Sequence, residues 1–369
     1  MSDPERRAVV LIPGLERVER FERRDLLAEN LANTVAQPTY PAEPVMAAGE
    51  AGLRLRPRAL RGDERPGRTL DLFEAYWADM VPSSAEMSPW RRFVSGFELV
   101  AYWLFSWGNL KALRLSRAIA IGLVAGGVLL VLWYVSIAVI VVAALRAAPE
   151  QEMLLASLPA LRSLFDWLLD VTAWVQTSAP YFILTLLLSA FRADELAQMA
   201  MFSKEYLENR RRDMQAGLRD RVRRRVAETI DHVLASSYDE VFVVAHSFGS
   251  IIAIDLLARW PHPADRDRVH LITLGSPEAV LSCRSQWLAG ERERLFRNAP
   301  HAWLDFYSPT DWLCNAITDH ARHYPGNSHR LWFDAPLIER ATGRTHKAYY
   351  FDPEVLQTLM GGSISARRS

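Results

Sequence analysis

The sequence predicts an α/β fold, in which a mostly parallel β-sheet is flanked by helices. Short runs of apolar, often β-branched residues each end in small or turn-forming residues, and they lie at 8–12, 241–244, 269–274 and 302–307. Such runs are typical of strands covered on both faces. Helical patterns alternate with them, at 16–33, 218–233 and 249–257. This alternation of strands and helices predicts a parallel sheet between helical layers.

The stretch from 241 to 257 carries the strongest functional signal. A strand-like run leads to Ala245, and Ser247 stands at the turn before Gly249 and an apolar helical pattern. Small residues at 245 and 249 let the strand and the helix approach closely, which exposes the serine hydroxyl. This arrangement resembles the nucleophile elbow of the α/β-hydrolase family, with Ala245 at the position of its first glycine. The alternative is a strand–helix turn that merely contains a serine.

The resemblance implies a triad in the chain order serine, acid, histidine, with each member at the carboxyl end of a strand. Asp311 comes directly after the run at 302–307, in the turn Ser-Pro-Thr-Asp. It therefore falls where the acid of the family sits, whereas Asp305 and Asp319 fit this position less well. An aspartate that only caps a loop or a helix is the alternative.

His346 is the predicted catalytic base. It precedes a tyrosine-bearing turn and a helical pattern that ends near Met360, which resembles the ending of the family. His329 and His323 are the alternatives. The predicted triad is therefore Ser247, Asp311 and His346.

Two backbone N–H groups are expected to form an oxyanion hole. The run at 8–12 ends in Pro13-Gly14-Leu15, where the family has a His-Gly or similar turn, so the first donor is Leu15 or a near neighbour. Phe248, directly after the serine, is the second donor. Donors of this kind stabilise the charge on a carbonyl oxygen by roughly 3–4 kcal/mol each. This chemistry needs neither a metal nor an organic cofactor.

Composition limits the remaining classes of function. The 369 residues include 43 basic and 43 acidic side chains, so the formal net charge of zero gives no electrostatic case for nucleic-acid binding. The two cysteines, Cys283 and Cys314, are too few for a disulfide framework and lack metal-ligand spacing. The charged N-terminus does not resemble a secretory signal peptide.

A long apolar stretch interrupts the hydrolase-like pattern. Residues 118–145 carry no charge and exceed the ~20 residues that cross a bilayer as a helix. A second candidate span lies at 171–191, and basic residues flank the pair, which predicts a hairpin with both ends on the cytoplasmic side. The alternative is a long lid or an oligomerisation surface.

The predicted organisation is therefore an α/β-hydrolase fold with an inserted transmembrane hairpin. Residues 1–87 form the first part of the hydrolase domain, 88–202 the membrane-associated insertion, and 203–369 the second part with the triad. The protein is expected to lie in the inner or plasma membrane, with the hydrolase domain on the cytoplasmic side.

The expected function is that of a membrane-anchored serine hydrolase that cleaves carboxylic esters, with lipid esters as the leading substrate class. The expected partners are a lipid or acyl-ester substrate and the bilayer, and no nucleic acid; self-association stays open. One alternative is a catalytically silent hydrolase fold that serves as a scaffold or partner-binding module. Another is an acyltransferase or thioesterase on the same fold.

Overall fold

The computed structural model describes residues 6–15, 18–34, 43–55, 69–81, 89–105, 107–115, 117–146, 167, 170, 193–211, 216–298, 300–336, 339–340 and 343–360. The chain divides into two compact units. The first comprises Met1–Val81, Lys111–Ala120 and Glu205–Ser369, and the second comprises Pro82–Leu110 and Ile121–Lys204.

The first unit contains an eight-stranded sheet. In chain order its strands are β1 (Arg6–Ile12), β2 (Glu43–Ala47), β3 (Glu50–Leu55), β4 (Thr69–Glu74), β5 (Glu240–His246), β6 (Val269–Leu274), β7 (Ala302–Tyr307) and β8 (Ser328–Arg330). Their order across the sheet is β2-β3-β4-β1-β5-β6-β7-β8. The pairs β2–β3 and β3–β4 are antiparallel, and all other pairs are parallel.

The helices of the described residues are α1 (Glu22–Thr34), α2 (Pro89–Leu104), α3 (Trp107–Ala112), α4 (Arg117–Arg146), α5 (Ala193–Glu208), α6 (Leu218–Leu234), α7 (Phe248–Ala258), α8 (Glu278–Ser282), α9 (Gln286–Arg297), α10 (His320–His323) and α11 (Pro353–Met360). Short 3₁₀ segments lie at Ala78–Met80, Pro263–Arg268 and Arg344–Phe351. Helices α1 and α11 pack in one apolar cluster with β1, β5 and β6. Helix α6 packs against β1 and β3, and helix α7 packs against β5 and β1.

The α/β prediction is confirmed, because the sheet is mostly parallel and flanked by helices. Strands β6 and β7 occupy the predicted runs without a shift. These runs are predictable from the sequence because every residue of β6 is buried. A strand that is covered on both faces is mostly apolar along its whole length.

The predicted helix at 16–33 is wrong at its start. Helix α1 begins only at Glu22, and Phe21 before it has φ +76°. The Phe21 backbone N–H donates to the carboxylate of Glu74, at the end of β4. A long-range contact therefore holds this segment in a turn, which local helical periodicity does not report.

The predicted transmembrane hairpin, and the multi-pass membrane localisation with it, are contradicted by the structure. None of the helices formed by the described residues is long and apolar enough to cross a membrane. The second candidate span, at 171–191, lies outside the described residues.

Helix packing inside the second unit accounts for one apolar face of α4. An apolar cluster joins this face to α2 and α5, and its buried members are Leu99, Leu130, Trp133, Ile137, Ala197 and Met201. The indole N–H of Trp103 on α2 also donates to the carbonyl of Ala200 on α5, at 3.0 Å. An apolar helical face therefore has partners within the protein itself.

Candidate active site

Ser247 stands in a sharp turn between β5 and α7. Its backbone has φ +54° and ψ −126°, a conformation that L-residues rarely adopt and that costs about 1–3 kcal/mol. Neighbouring groups hold it there: the Ser247 N–H donates to the carbonyl of Leu274 at 2.8 Å, and the Ser250 hydroxyl donates to the Ser247 carbonyl at 2.6 Å. Ser247 thus lies in a strained turn between a strand and a helix, as the local pattern predicts.

Two glycines let the end of β1 meet the elbow. A Cβ on Gly249 would overlap the carbonyl oxygen of Ile12 and would lie 2.7 Å from that of Pro13. A Cβ on Gly14 would lie 2.8 Å from the Cβ of Ser247. Both positions therefore need glycine for close approach of the backbone.

The two predicted oxyanion-hole residues flank this contact. Leu15 is buried and directly follows Gly14, and Phe248 is the first residue of α7. Helix N-termini carry partial positive charge, which suits a developing oxyanion near Phe248. Trp77 links the two segments, because its indole N–H donates to the Pro13 carbonyl at 3.1 Å and its ring lies 6.3 Å from that of Phe248.

Asp311 and His346 are joined by a short hydrogen bond. His346 Nδ1 lies 2.6 Å from Asp311 Oδ2, and both side chains are buried. A carboxylate only accepts, so Nδ1 carries the proton and Nε2 is the basic nitrogen of the neutral ring. The His346 ring lies 4.8 Å from the ring of His246, the residue before Ser247. The Asp311–His346 pair therefore lies next to the end of β5, where the turn with Ser247 begins.

Three further donors surround the Asp311 carboxylate. Cys314 Sγ donates to Oδ2 at 3.0 Å, the Tyr349 hydroxyl donates to Oδ2 at 3.3 Å, and the Leu313 N–H donates to Oδ1 at 3.0 Å. Burial acts to raise the pKa of Asp311, but the charge of His346 and the hydrogen bonds from His346, Cys314 and Leu313 outweigh it and lower the pKa. The carboxylate is consequently ionised, as a partner for an imidazolium must be.

Burial raises the pKa values of the Cys314 thiol and the Tyr349 hydroxyl far above their ordinary values. Both groups therefore stay protonated and act as donors. Glycine at position 275 makes room for the tyrosine, because a Cβ there would lie 2.6 Å from the Tyr349 ring.

Asp311, Cys314 and His346 also offer three ligand atoms of the types that Zn²⁺ binds, all within 4.8 Å of one another. Zn–O and Zn–S bonds of ~2.0–2.3 Å would separate tetrahedral ligand atoms by roughly 3.3–3.7 Å. The separations of 2.6 and 3.0 Å to Asp311 Oδ2 are instead those of hydrogen bonds. The cluster therefore fits a carboxylate surrounded by donors better than a metal site.

The alternative residues make other contacts. His329 bonds Glu354 at 2.6 Å, and the His323 ring stacks on Phe296 at 4.1 Å.

The alternative acids also have other surroundings. Asp305 accepts hydrogen bonds from the Ile317 N–H and the Thr273 hydroxyl, while Asp319 precedes α10 in a left-handed conformation. Of the residues proposed for acid and base, the structure joins Asp311 and His346 to each other.

The contacts of Cys314, Tyr349 and His246 in this site are not apparent from the sequence. The first two each lie three residues after a member of the acid–base pair, and His246 directly precedes the serine. That spacing is the available signal, but it does not identify a partner without the tertiary structure.

Glu74, the last residue of β4, is hydrogen-bonded to Phe21, just before helix α1. It is 1% exposed, Oε2 accepts the Phe21 N–H, and no described residue bonds its buried Oε1. Burial raises the pKa of Glu74 to about 7, although the Phe21 hydrogen bond and Arg24 oppose the increase. The folded protein thus retains a proton that the unfolded chain releases at lower pH.

We expect the free energy of unfolding to fall by about 3 kcal/mol between pH 4.5 and pH 7 on account of Glu74. A raised carboxyl pKa stabilises the folded state below the unfolded value, and this contribution disappears as pH rises through the folded value. Glu74→Gln stays neutral and should remove this part of the pH dependence. Urea unfolding of both proteins at pH 5 and pH 8 checks it; parallel pH dependences would contradict it.

No family model, curated protein or solved structure matches this chain.

Proposed function

We propose that this protein is a serine hydrolase that cleaves carboxylic esters through an acyl-enzyme. The observation that carries the proposal is the 2.6 Å bond between His346 Nδ1 and Asp311 Oδ2, next to the end of β5, where the turn with Ser247 begins. A buried, charge-assisted pair beside a strained serine is the combination that nucleophilic catalysis requires.

Each residue has a defined role in this mechanism. His346 Nε2 takes the proton of Ser247 as the hydroxyl attacks the ester carbonyl, and Asp311 stabilises the resulting imidazolium. The backbone N–H groups at Leu15 and Phe248 stabilise the oxyanion. His346 then returns the proton to the leaving alcohol, and water releases the acid from Ser247 by the reverse sequence.

The substrate class is proposed as carboxylic esters in general. Lipid esters are not proposed, because that expectation depended on a membrane anchor, which the structure contradicts. A catalytically silent scaffold does not require a buried carboxylate that accepts four hydrogen bonds, nor a serine with a strained backbone. Perturbed ionisable groups and backbone strain at one place favour an active site.

We expect the purified protein to hydrolyse p-nitrophenyl esters with an initial burst of p-nitrophenol, and Ser247→Ala to lower kcat at least about 10³-fold. Ser237→Ala, at an exposed position, serves as the control and should leave kcat unchanged. A series from acetate to palmitate separates short-chain from lipid-like preference. Equal hydrolysis by wild type and Ser247→Ala would contradict the proposed function.

A further inference from the structure

His246 lies at the junction of three segments of the proposed active site. It is the last residue of β5 and is 1% exposed. Its Nε2 lies 2.7 Å from the carbonyl oxygen of His346. A carbonyl oxygen only accepts, so His246 Nε2 carries a proton and donates it to this bond. The bond fixes the backbone of the proposed base with respect to the elbow.

The His246 ring also lies against His346, Tyr350 and the segment after β1. Its ring centroid lies 4.8 Å from that of His346 and 4.7 Å from that of Tyr350. A Cβ on Gly14 would lie only 3.0 Å from His246 Nδ1, so the segment after β1 passes directly beside the ring. One buried imidazole thus contacts the segment of the proposed oxyanion hole and the turn that carries the base.

The turn that carries His346 depends on such a contact. It belongs to the 3₁₀ segment Arg344–Phe351, which follows Gly343 in a left-handed conformation. Short 3₁₀ segments have weaker hydrogen-bond geometry than α-helices. Loss of the His246 donor would leave the His346 carbonyl with one hydrogen bond fewer in a buried place, and the turn would be free to shift.

We propose that His246 is a positioning residue that sets the distance and direction of His346 with respect to Ser247. The inference rests on the proposed serine-hydrolase function. A displacement of about 1 Å in a catalytic group costs up to about 10²-fold in rate, so the bond should act on the chemical step and not on substrate binding.

The test is the rate at which a fluorophosphonate probe inactivates variants of the full chain, with KI and kinact measured separately. His246→Leu should lower kinact roughly 10- to 100-fold and leave KI within about twofold. His246→Gln places an amide N–H near the position of Nε2 and should restore kinact to within about threefold of wild type. His246→Asn is too short to reach the carbonyl and should stay slow.

His270→Leu is the matched control, because it makes the same substitution at another buried histidine, on β6. It should leave kinact at the wild-type value. Wild-type kinact in His246→Leu would overturn the inference, as would equal rates in His246→Gln and His246→Asn. The comparison of His246→Gln with His246→Asn still tests the inference if His246→Leu does not fold. A wild-type protein that the probe does not modify at Ser247 would instead overturn the proposed function itself.

Discussion

Replacing Asp311 with asparagine is expected to lower kcat for ester hydrolysis about 10³- to 10⁴-fold, with a small change in KM. Three donors converge on Oδ2, from His346, Cys314 and Tyr349, and the Leu313 N–H points at Oδ1. Whichever way the asparagine amide turns, its NH₂ group faces a donor. In either orientation the neutral amide removes the negative charge that stabilises the imidazolium, and when NH₂ faces His346 the imidazole proton also moves to Nε2 and the base is lost.

The same conflict should lower the free energy of unfolding by about 1–3 kcal/mol, because a buried donor loses its acceptor. Asp305→Asn is the matched control. Asp305 is equally buried and accepts two hydrogen bonds, from Ile317 and Thr273, and it was the alternative acid. We expect it to reduce stability and to leave kcat per folded molecule unchanged. The assignment of the acid would be wrong if Asp305→Asn lost more activity than Asp311→Asn.

Replacing Gly249 with alanine is expected to destabilise the protein by about 3 kcal/mol and to abolish reaction with esters. The new Cβ would overlap the carbonyl of Ile12 and crowd that of Pro13. Both are backbone atoms of the strand end that leads to the proposed oxyanion hole, so no side chain can turn away to relieve the clash. Urea unfolding and p-nitrophenyl ester hydrolysis measure the two effects.

Gly290→Ala is the control for this substitution. Gly290 is exposed in the interior of α9, and nothing lies within 4 Å of a Cβ placed there. Alanine should therefore stabilise the protein by about 0.5–1 kcal/mol. If Gly249→Ala were as stable as Gly290→Ala, the close packing of β1 against the elbow would be contradicted.

The sequence predicted those parts of the fold that depend on local patterns. Strands β6 and β7 are readable because their apolar residues are buried on the covered sheet. Strand β4 was not predicted, since Asp71 and Glu74 interrupt its apolar pattern. Asp71 is buried inside an ion pair with Arg54 at 2.7 Å and accepts the Tyr238 hydroxyl at 2.7 Å, and such distant partners leave no local signal.

The candidate site likewise combines residues that local sequence patterns predict with partners that come from distant parts of the chain. Chain order and a strand end were enough to select Asp311, and the tyrosine-bearing turn before the last helix was enough to select His346; the structure joins the two side chains. The surroundings that set their properties come from elsewhere in the chain: Tyr349 reaches back to Asp311, and His246 reaches the carbonyl of His346 100 positions away. The transmembrane prediction for 118–145 is wrong, because hydropathy alone does not distinguish contact with lipid from packing between helices.

The most direct test of the proposed serine-hydrolase function is covalent labelling of the purified chain with a fluorophosphonate probe, followed by peptide mapping by mass spectrometry. Such a probe reacts with an activated serine and does not require the natural substrate. The proposed triad predicts one modified residue, Ser247, with labelling absent in Ser247→Ala and strongly slowed in Asp311→Asn and His346→Ala. A folded wild-type protein that takes up no probe at Ser247, with or without mild detergent, would contradict it.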